Sequence, residues 1–530
     1  MSKIENDLRS EYGPFVKPPK RVKEILALAD KDIEDYDSEI TRLREQLTII
    51  EAQKEQLGTQ RAKLRALLSP MRKMPNEILF RILRQVCEEN VIQHGLYQRW
   101  DGKDDVLTSS ATTYLPAVAV SSVCSRWREL TLSSSSFWEN LTVEIHSLDG
   151  DMDELSFMVT RYLERSGERP LRLSFHFDHE DELSLDFDRE EEFPFLNLFL
   201  QHAHRWESLA CWADHSLSFY RMLSQLHFPS LLELDIRHFA DPDSNALDIF
   251  EHAPRLRILA TTDAPPSKTP FNQLETLHFC KSLRVASPTE LANTLRNCHS
   301  LKKLLLLFDV EVQDPMAQGT WKNITWLNMM EPFEQHLKMV FLSFSFPSLT
   351  ELIVESEFHK TTWPVESFGS FVTTSSCMIT AFTLRGISIS DLDLIAALRV
   401  MPSISYLKID DINDIDSAQR TITSHLISSL RHQSTSFLLA PKLHSLHLIS
   451  VRKSKVLFDD ATFIGMVESR WFKPGSDLSA AMFSMGKACI RSVVLTFSWR
   501  EVDAEVYQPL RNLDAEGLRV VVAGTNGVQV

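Results

Sequence analysis

The side chains in this sequence that could perform bond chemistry lack the spacing that a catalytic or metal site needs. His202 and His204 form one close pair and His444 and His447 another, but neither pair has a third ligand at a recognisable spacing. No Gly-rich phosphate loop ending in Lys-Ser/Thr is present, and no H-E-x-x-H or G-x-S-x-G. We therefore expect no catalytic residue, no metal and no cofactor, and predict that the chain is not an enzyme.

The cysteines and the charge balance restrict the class of protein. The seven cysteines form no C-x-x-C and mostly fall in apolar patterns, where Cys packs as a small hydrophobe. Cys124, beside Trp127 on an apolar helical face, is expected to pack in the same way. The N-terminus is no secretory signal, no run approaches the ~20 apolar residues that span a bilayer, and a net charge of −16 disfavours nucleic acids and anionic membranes. We expect a soluble protein of the cytoplasm or nucleus.

Apolar side chains, by contrast, recur at helical spacing between residues 74 and 138. Pro75 suits a helix start, and Ile78, Leu79, Ile82, Leu83 and Val86 then form one apolar helical face. A second face follows Pro116, and it consists of Val120, Val123, Cys124, Trp127 and Thr131, with Leu130 beside it. A helical unit of about 65 residues is near the lower size limit for a self-sufficient core. Part of this surface is therefore expected to contact a partner.

These residues resemble an F-box. Met74–Pro75 stands in place of the usual Leu-Pro, and Val123–Cys124, Trp127–Arg128 and Trp138 follow the family's V-C-x-x-W-R…W arrangement. The resemblance implies docking on the Skp-type adaptor of a cullin–RING ubiquitin ligase. The residues that it assigns to this contact are Met74, Pro75, Ile78, Leu79, Ile82, Val123, Trp127 and Leu130. The simpler alternative is an ordinary helical hairpin with a Trp in its core.

The segment before the F-box-like unit carries a heptad pattern. After a flexible start at 1–21, residues 22–70 are predicted to form a coiled-coil helix. Its seam comprises Ile33, Tyr36, Ile40, Leu43, Leu47, Ile50, Lys54, Leu57, Arg61, Leu64 and Leu68. Lys54 and Arg61 at seam positions favour a two-stranded assembly over higher orders. The helix is expected to associate with itself or another chain; the alternative is an amphipathic helix folded onto its own chain.

The rest of the chain contains a degenerate repeat. An L-x-x-L-x-L type frame recurs at intervals of roughly 25 residues, within the range of leucine-rich repeats. The frames are Leu231-Leu234-Ile236, Leu274-Leu277-Phe279, Leu301-Leu304-Leu306, Leu349-Leu352-Val354, Ile379-Phe382-Leu384, Ile404-Leu407-Ile409, Leu443-Leu446-Leu448 and Ile490-Val493-Leu495. The usual Asn or Cys after the last aliphatic position is missing, so the resemblance to leucine-rich repeats is degenerate. Stacked copies predict a solenoid; the alternative is an irregular α/β protein.

The predicted fold is therefore mixed α/β, with three parts. A coiled-coil helix is followed by a helical F-box-like domain at 71–141, with an inserted loop at 88–114, and by a leucine-rich-repeat-like solenoid at 142–530. The acidic run at 178–192 is predicted to be a solvated loop, or a docking site for a basic partner. In the solenoid register, seven residues between frame positions would face a bound protein. These residues are Glu233, Arg237, His278, Trp326, Arg385, Tyr406 and Lys408.

Together these features predict a substrate-recognition subunit of a Skp–cullin–F-box ligase. The F-box-like helices would hold the adaptor, and the repeats would bind a target protein whose identity the sequence does not reveal. Two other hypotheses stay open at this point. One is an interaction scaffold, unrelated to ubiquitin, that assembles through the coiled coil and repeats. The other is an enzyme with unfamiliar elements in the C-terminal region.

Overall fold

The computed structural model of the 530-residue chain describes most of the sequence in segments. These are residues 20–94, 115–145, 152–177, 194–213, 223, 226–237, 250–261, 271–281, 288–308, 318–358, 360–411, 421–432, 438–451, 458–473 and 488–528. The chain divides into two compact units, Met1–Ile82 and Leu83–Val530. The predicted acidic loop at 178–192 and most of the flexible start at 1–21 lie outside the described residues.

The first unit is dominated by one long helix. Helix α1, Lys20–Leu67, contains 48 residues and no proline. Its described side chains are all exposed, the apolar seam included, so none of them is buried by the described residues. Ser69 then caps the short helix α2, Pro70–Lys73, because its hydroxyl accepts a hydrogen bond from the Met71 amide at 3.3 Å.

Three further helices carry the F-box-like pattern. Helix α3 spans Asn76–Val86 and begins directly after Pro75, as the pattern predicted. Helices α4, Pro116–Val123, and α5, Ser125–Leu132, replace the single apolar helix expected there. That expectation was wrong because Cys124 has extended backbone angles, φ −160° and ψ 168°, which interrupt the helical hydrogen bonds.

Part of the expected inserted loop is a strand. Residues 91–94 of the 88–114 segment form the first strand, β1, Val91–His94, which pairs in parallel with β2, Asn140–Ile145. The Thr142 amide also donates to the Asn90 carbonyl at 2.8 Å, just before that strand. Residues 95–114 lie outside the described part of the chain. Residues 91–94 of the F-box-like segment therefore belong to the same sheet as the strands that follow.

A large, mostly parallel sheet forms the second unit. In the described segments this sheet has sixteen strands, which are ordered as they occur in the chain, and of these only the last pair is antiparallel. After β1 and β2 they are β3 Leu171–Phe177, β4 Trp206–Ala213, β5 Glu233–Arg237, β6 Ile258–Thr261, β7 Thr276–Lys281, β8 Lys303–Phe308, β10 Trp326–Met330, β12 Glu351–Glu355, β14 Ala381–Arg385, β16 Tyr406–Asp410, β17 Ser445–Ser450, β18 Ser492–Phe497, β19 Arg519–Gly524 and β20 Gly527–Val528. The sheet is open, since β1 and β20 are its two edges.

Short elements complete this unit. Two small parallel pairs join β9, Gly319–Thr320, with β11, Phe344–Ser345, and β13, Thr361–Thr362, with β15, Ile387–Ser388. The remaining α-helices are α6 Met152–Ser166, α7 Pro194–Leu200, α8 Pro288–Asn297, α9 Glu334–Ser343, α10 Val365–Ser375, α11 Asp391–Val400, α12 Ser424–Leu430, α13 Asp460–Arg470 and α14 Gln508–Ala515. Parallel strands that are neighbours in a sheet need crossover connections of this kind, commonly an α-helix. Among the described helices, none has the length and apolar content to span a bilayer.

The repeated frames explain why the strands align. In each frame the second and third positions lie on a strand, so Leu352 pairs in register with Leu327 and Phe382. These side chains are fully buried, and so are first-position residues such as Leu349 and Ile404. Each buried aliphatic side chain stabilises the fold by about 1.5–3 kcal/mol relative to an exposed one. The frames therefore form continuous apolar rows across the sheet.

A ladder of hydroxyl hydrogen bonds runs along the N-terminal ends of the central strands. The Thr350 hydroxyl donates to the Thr325 carbonyl at 3.0 Å, the Thr380 hydroxyl to the Thr350 carbonyl at 3.1 Å, and the Ser405 hydroxyl to the Thr380 carbonyl at 3.0 Å. Each accepting carbonyl also receives backbone amides of the next strand, for example those of Thr380 and Ala381. The ladder fixes the strand register beside the apolar rows.

Candidate protein-binding surfaces

Helix α3 has one accessible apolar face and one buried face. Ile78 is 46% exposed, Ile82 42% and Val86 56%, one helical turn apart from each other. Leu79 and Leu83 on the other face are buried. The resemblance assigned Leu79 to the adaptor contact, but the structure does not leave this side chain accessible. The resemblance assigned no role to Val86, although its spacing from Ile78 and Ile82 places it on the same exposed face.

Before this helix, Met74 is half-buried and Pro75 is exposed. Both precede the first turn of α3, where Pro75 sets the backbone for the helix start. Both residues therefore lie at the same end of the helix as Ile78 and are at least partly accessible to a partner protein.

Helices α4 and α5 carry a second set of predicted contact residues. Val123 is 61% exposed, whereas Trp127 and Leu130 are half-buried. The Arg128 guanidinium donates to the Ser121 carbonyl at 3.0 Å and so connects α5 to α4. This bond holds the two helices together across the Cys124 break.

Trp138 anchors α5 to the sheet unit. Its ring is buried, and its indole N–H donates to the Thr131 carbonyl near the end of α5 at 3.0 Å. The rings of Trp138 and Tyr162 in α6 form a T-shaped pair with centroids 5.3 Å apart, and the Arg165 guanidinium lies 4.5 Å from the centroid of the Trp138 ring. The Tyr162 hydroxyl donates to the Asn140 carbonyl at 2.6 Å. Trp138 thus works as an internal support and not as a contact surface.

Asn90 is a second buried connection. Its side-chain NH₂ donates to the carbonyls of Cys87 at 2.8 Å, Asn140 at 3.3 Å and Phe137 at 3.4 Å. Its side-chain oxygen accepts the Ala117 amide at 3.1 Å. One amide therefore joins the end of α3, the start of α4 and the start of β2. Sequence reasoning missed Asn90, because a lone Asn in a polar stretch carries no signal of burial.

The predicted target-binding residues lie on one face of the sheet. Strand register places Glu233, Trp326 and Tyr406 in one row, and His278 and Lys408 in the next row. These positions alternate with the buried apolar rows. Glu233 is exposed, and the other four residues are half-buried. Whether they bind a target protein stays a prediction.

The two remaining candidates occupy a further row. The backbone of Arg237 pairs with Trp212, but its side chain lies outside what the structure describes. Arg385 is half-buried, and its guanidinium makes ion pairs with Glu357 at 2.6 Å and Asp410 at 3.5 Å. A bound carboxylate at Arg385 would have to compete with these two partners.

Tyr406 and His447 form a contact on neighbouring strands of this face. The Tyr406 hydroxyl lies 3.4 Å from Nδ1 of His447, and the ring centroids are 5.1 Å apart. Burial, followed by the charges of Lys408 and Arg519, lowers the pKa of His447 below its ordinary value. The histidine is therefore neutral at neutral pH and gives this part of the face an aromatic character.

A stacked ring pair that the sequence reasoning missed lies on the same face. The rings of His176 and Trp212 are 4.5 Å apart and nearly parallel, and Trp212 is 40% exposed. Trp206, Leu209 and Cys211 repeat the frame spacing loosely, and Trp212 follows Cys211 as Arg237 follows Ile236. Applying that offset to this looser copy would have found Trp212.

The described residues contain no group of three or more His, Cys, Asp or Glu side chains arranged to hold a metal ion. Burial raises the pKa of the thiols of Cys87 and Cys377 to about 11 and of Cys298 to about 12, so these thiols are protonated. Cys298 borders a cleft of about 430 Å³ beside Trp321. The described segments therefore offer exposed surfaces for binding.

Comparison with known proteins gives no relative. No protein-family model matches the chain, and a search of curated proteins finds no similar sequence. The functional interpretation therefore depends on the residues themselves.

Proposed function

We propose that this protein is a substrate-recognition subunit of a Skp–cullin–F-box ubiquitin ligase. The observation that carries the proposal is the exposed apolar face of α3, Ile78 and Ile82 with Val86, within a segment that follows the F-box pattern. Aliphatic side chains at successive turns of one helix face are a common form of helix-mediated protein recognition. The exposed Val123 on α4 belongs to the same motif.

The sheet unit supplies the second half of the proposal. The described sheet contains successive parallel strands, eight of which carry the buried frame, and this is consistent with a degenerate leucine-rich-repeat solenoid, in which every copy packs on its neighbours. The alternating face carries Trp326, Tyr406 and Arg385, the residue types enriched at binding hot spots. This face would bind the target protein.

Catalysis in such an assembly is proximity. The target would be held near a conjugating enzyme carried elsewhere in the complex, which replaces a bimolecular encounter with a local one. No residue of this chain would make or break a bond. The protein would need no metal or cofactor for this role.

The first test measures binding of purified Skp-type adaptor to the full-length chain. The double variant Ile78→Asp with Ile82→Asp places two charges in the apolar face, so we expect affinity to fall at least about tenfold, the equivalent of about 1.4 kcal/mol. The matched control is Leu392→Asp, an equally accessible leucine, 64% exposed, on α11. The control should bind as the unmodified chain does.

Two outcomes would contradict the proposal. The unmodified chain fails to bind the adaptor, or the α3 double variant binds it as tightly as the Leu392→Asp control. Either result would favour an interaction scaffold without a link to ubiquitin. Far-ultraviolet circular dichroism of both variants shows whether they are folded.

A further inference from the structure

Helix α1 exposes an apolar seam along almost its whole length. Ile33 is 58% exposed, Ile40 44%, Leu47 56%, Leu57 65% and Leu64 64%. Together with the other seam residues they follow one another at spacings of three and four, which places the seam on one side of the helix. A regular seam of this length, left open in the chain itself, fits another helix with the same repeat.

The seam is not uniform from end to end. Its N-terminal half, from Leu26 to Ile50, contains no charged side chain, whereas Lys54 and Arg61 interrupt its C-terminal half. In a parallel pair of identical helices, the same heptad position meets itself. Lys54 would then face Lys54 of the second copy and Arg61 would face Arg61, so two neighbouring layers would each hold two like charges.

An antiparallel pair avoids both layers of like charge. With the C-terminal half of one helix against the N-terminal half of the other, Arg61 meets Tyr36 and Lys54 meets Leu43. The remaining layers are apolar, and they pair Ile33 with Leu64, Ile40 with Leu57 and Leu47 with Ile50. The Tyr36 ring offers its face to the guanidinium, and the lysine stem packs on leucine while its ammonium reaches water.

The charges outside the seam favour the same orientation. The segment 30–39 is acidic through Asp30, Asp32, Glu34, Asp35, Asp37 and Glu39. Outside the seam, the opposite end of the helix is basic through Lys63 and Arg65. In this antiparallel register the acidic segment of each copy lies against the basic segment of the other, whereas a parallel pair sets acidic against acidic.

We infer that the protein forms a homodimer through an antiparallel coiled coil of α1, in which residues 29–36 of one copy lie against residues 61–68 of the other. The occupant of the seam is thus a second copy of this chain. The inference does not depend on adaptor binding. Its consequence is that the segments following α1 leave the coiled coil at opposite ends.

The orientation is tested on the full-length chain with a photoreactive benzophenone amino acid in place of Leu64. This chain is mixed with a heavy-isotope-labelled copy that lacks the photoreactive group, irradiated and digested, and the joined peptides are identified by mass spectrometry. We expect cross-links from position 64 to residues 29–36 of the heavy copy. Cross-links to residues 61–68 of the heavy copy, to the same chain only, or to no protein would overturn the inference.

The dimer itself is tested by light scattering of seam variants. Ile40→Asp with Leu47→Asp places charge in the Ile40–Leu57 and Leu47–Ile50 layers, each of which occurs twice in the dimer, so the mass should fall from twice 60.8 kDa to 60.8 kDa. The control, Thr41→Asp with Thr48→Asp, changes exposed residues of the same helix outside the seam and should stay dimeric. A monomeric parent chain, or a seam variant that stays dimeric, would contradict the inference. Adaptor binding by the seam variant is measured as well. A monomeric variant that still binds the adaptor shows that the dimer and the proposed adaptor contact are separate properties of the chain.

Discussion

At the scale of single residues, buried polar side chains join elements that apolar packing alone would leave independent. Asn90 links α3, α4 and β2. Arg470 at the end of α13 is fully buried, and its guanidinium donates to the carbonyls of Leu430, Leu439 and Ala440. Burial lowers the pKa of Arg470 to about 10, so the side chain keeps its charge at neutral pH. These residues are costly to replace because their partners would lose hydrogen bonds inside the protein.

The first prediction concerns Asn90→Asp. The substitution keeps the shape but replaces an NH₂ group by an oxygen facing three carbonyls, so the free energy of unfolding should fall by about 3 kcal/mol or more. Urea denaturation measures the change. Asn323→Asp is the matched control, because Asn323 makes a similar bond to the His299 carbonyl at 2.6 Å but is exposed, and it should cost less than about 1 kcal/mol. Equal losses in both variants would contradict the role of Asn90.

The second prediction concerns the pH dependence contributed by His447. Its pKa in the folded protein lies below the ordinary value of 6.5, so below that pH the unfolded chain binds more protons than the folded one. Stability should therefore be complete above 6.5 and decrease as the pH falls below it. The urea midpoint of the unmodified protein should drop more between about pH 7.5 and about pH 5.5 than that of His447→Gln. The same drop in both would show that His447 contributes nothing.

At the scale of elements, side-chain caps start three consecutive helices of the C-terminal part. The hydroxyls of Ser390 and Thr423 accept the third amide of α11 and α12, at 3.1 and 3.2 Å, and the Asp459 carboxylate does so for α13 at 3.2 Å. The Thr423 hydroxyl also donates to the Asp391 carboxylate at 2.6 Å, which joins the start of α12 to the start of α11. The caps therefore fix the first turns of these helices, and the Thr423–Asp391 bond also links two neighbouring helices.

The third prediction concerns one of these caps. Ser390→Ala leaves a helix amide without its acceptor, so the free energy of unfolding should fall by about 1 kcal/mol. Ser370→Ala is the control, because the Ser370 hydroxyl only bonds back to the Glu366 carbonyl within α10; it should be neutral or slightly stabilising. Thermal or urea denaturation compares the two. A cap variant as stable as the control would rule out this role for Ser390.

The strands and helices also show how much of the fold could be predicted from the sequence. The frame residues, such as Leu352 and Val354, predicted the strands correctly, because a residue on a strand shows its burial through simple alternation. The short strand β1 was missed, because its stability comes from pairing with β2, more than 45 residues further along the chain. The break at Cys124 was missed for a related reason: the local apolar pattern continues, while the backbone changes direction.

At the scale of the whole molecule, the strands of the large sheet contact their sequence neighbours in simple succession. Disturbance in one strand should therefore pass mainly to the strands beside it.

The fourth prediction follows from this succession. Leu327→Ala removes a fully buried side chain from β10 and should cost about 2–5 kcal/mol, with faster amide hydrogen exchange chiefly in β8, β10 and β12. Val522→Ala in β19 should instead speed exchange in β18 and β19. Hydrogen–deuterium exchange with mass spectrometry resolves the two patterns. A uniform increase over the entire sheet in both variants would contradict neighbour-limited coupling.

The two outermost strands have one further consequence. β1 has four residues and β20 has two, and β20 runs against the direction of β19. A sheet that ends in a long, straight strand presents a row of free amide and carbonyl groups onto which other molecules can add without limit. Among the described residues, β1 offers a row of only four residues at one border, and the reversed β20 interrupts the parallel pattern beside Ala523 and Gly524 at the other. Both features would hinder an incoming copy from continuing the parallel sheet.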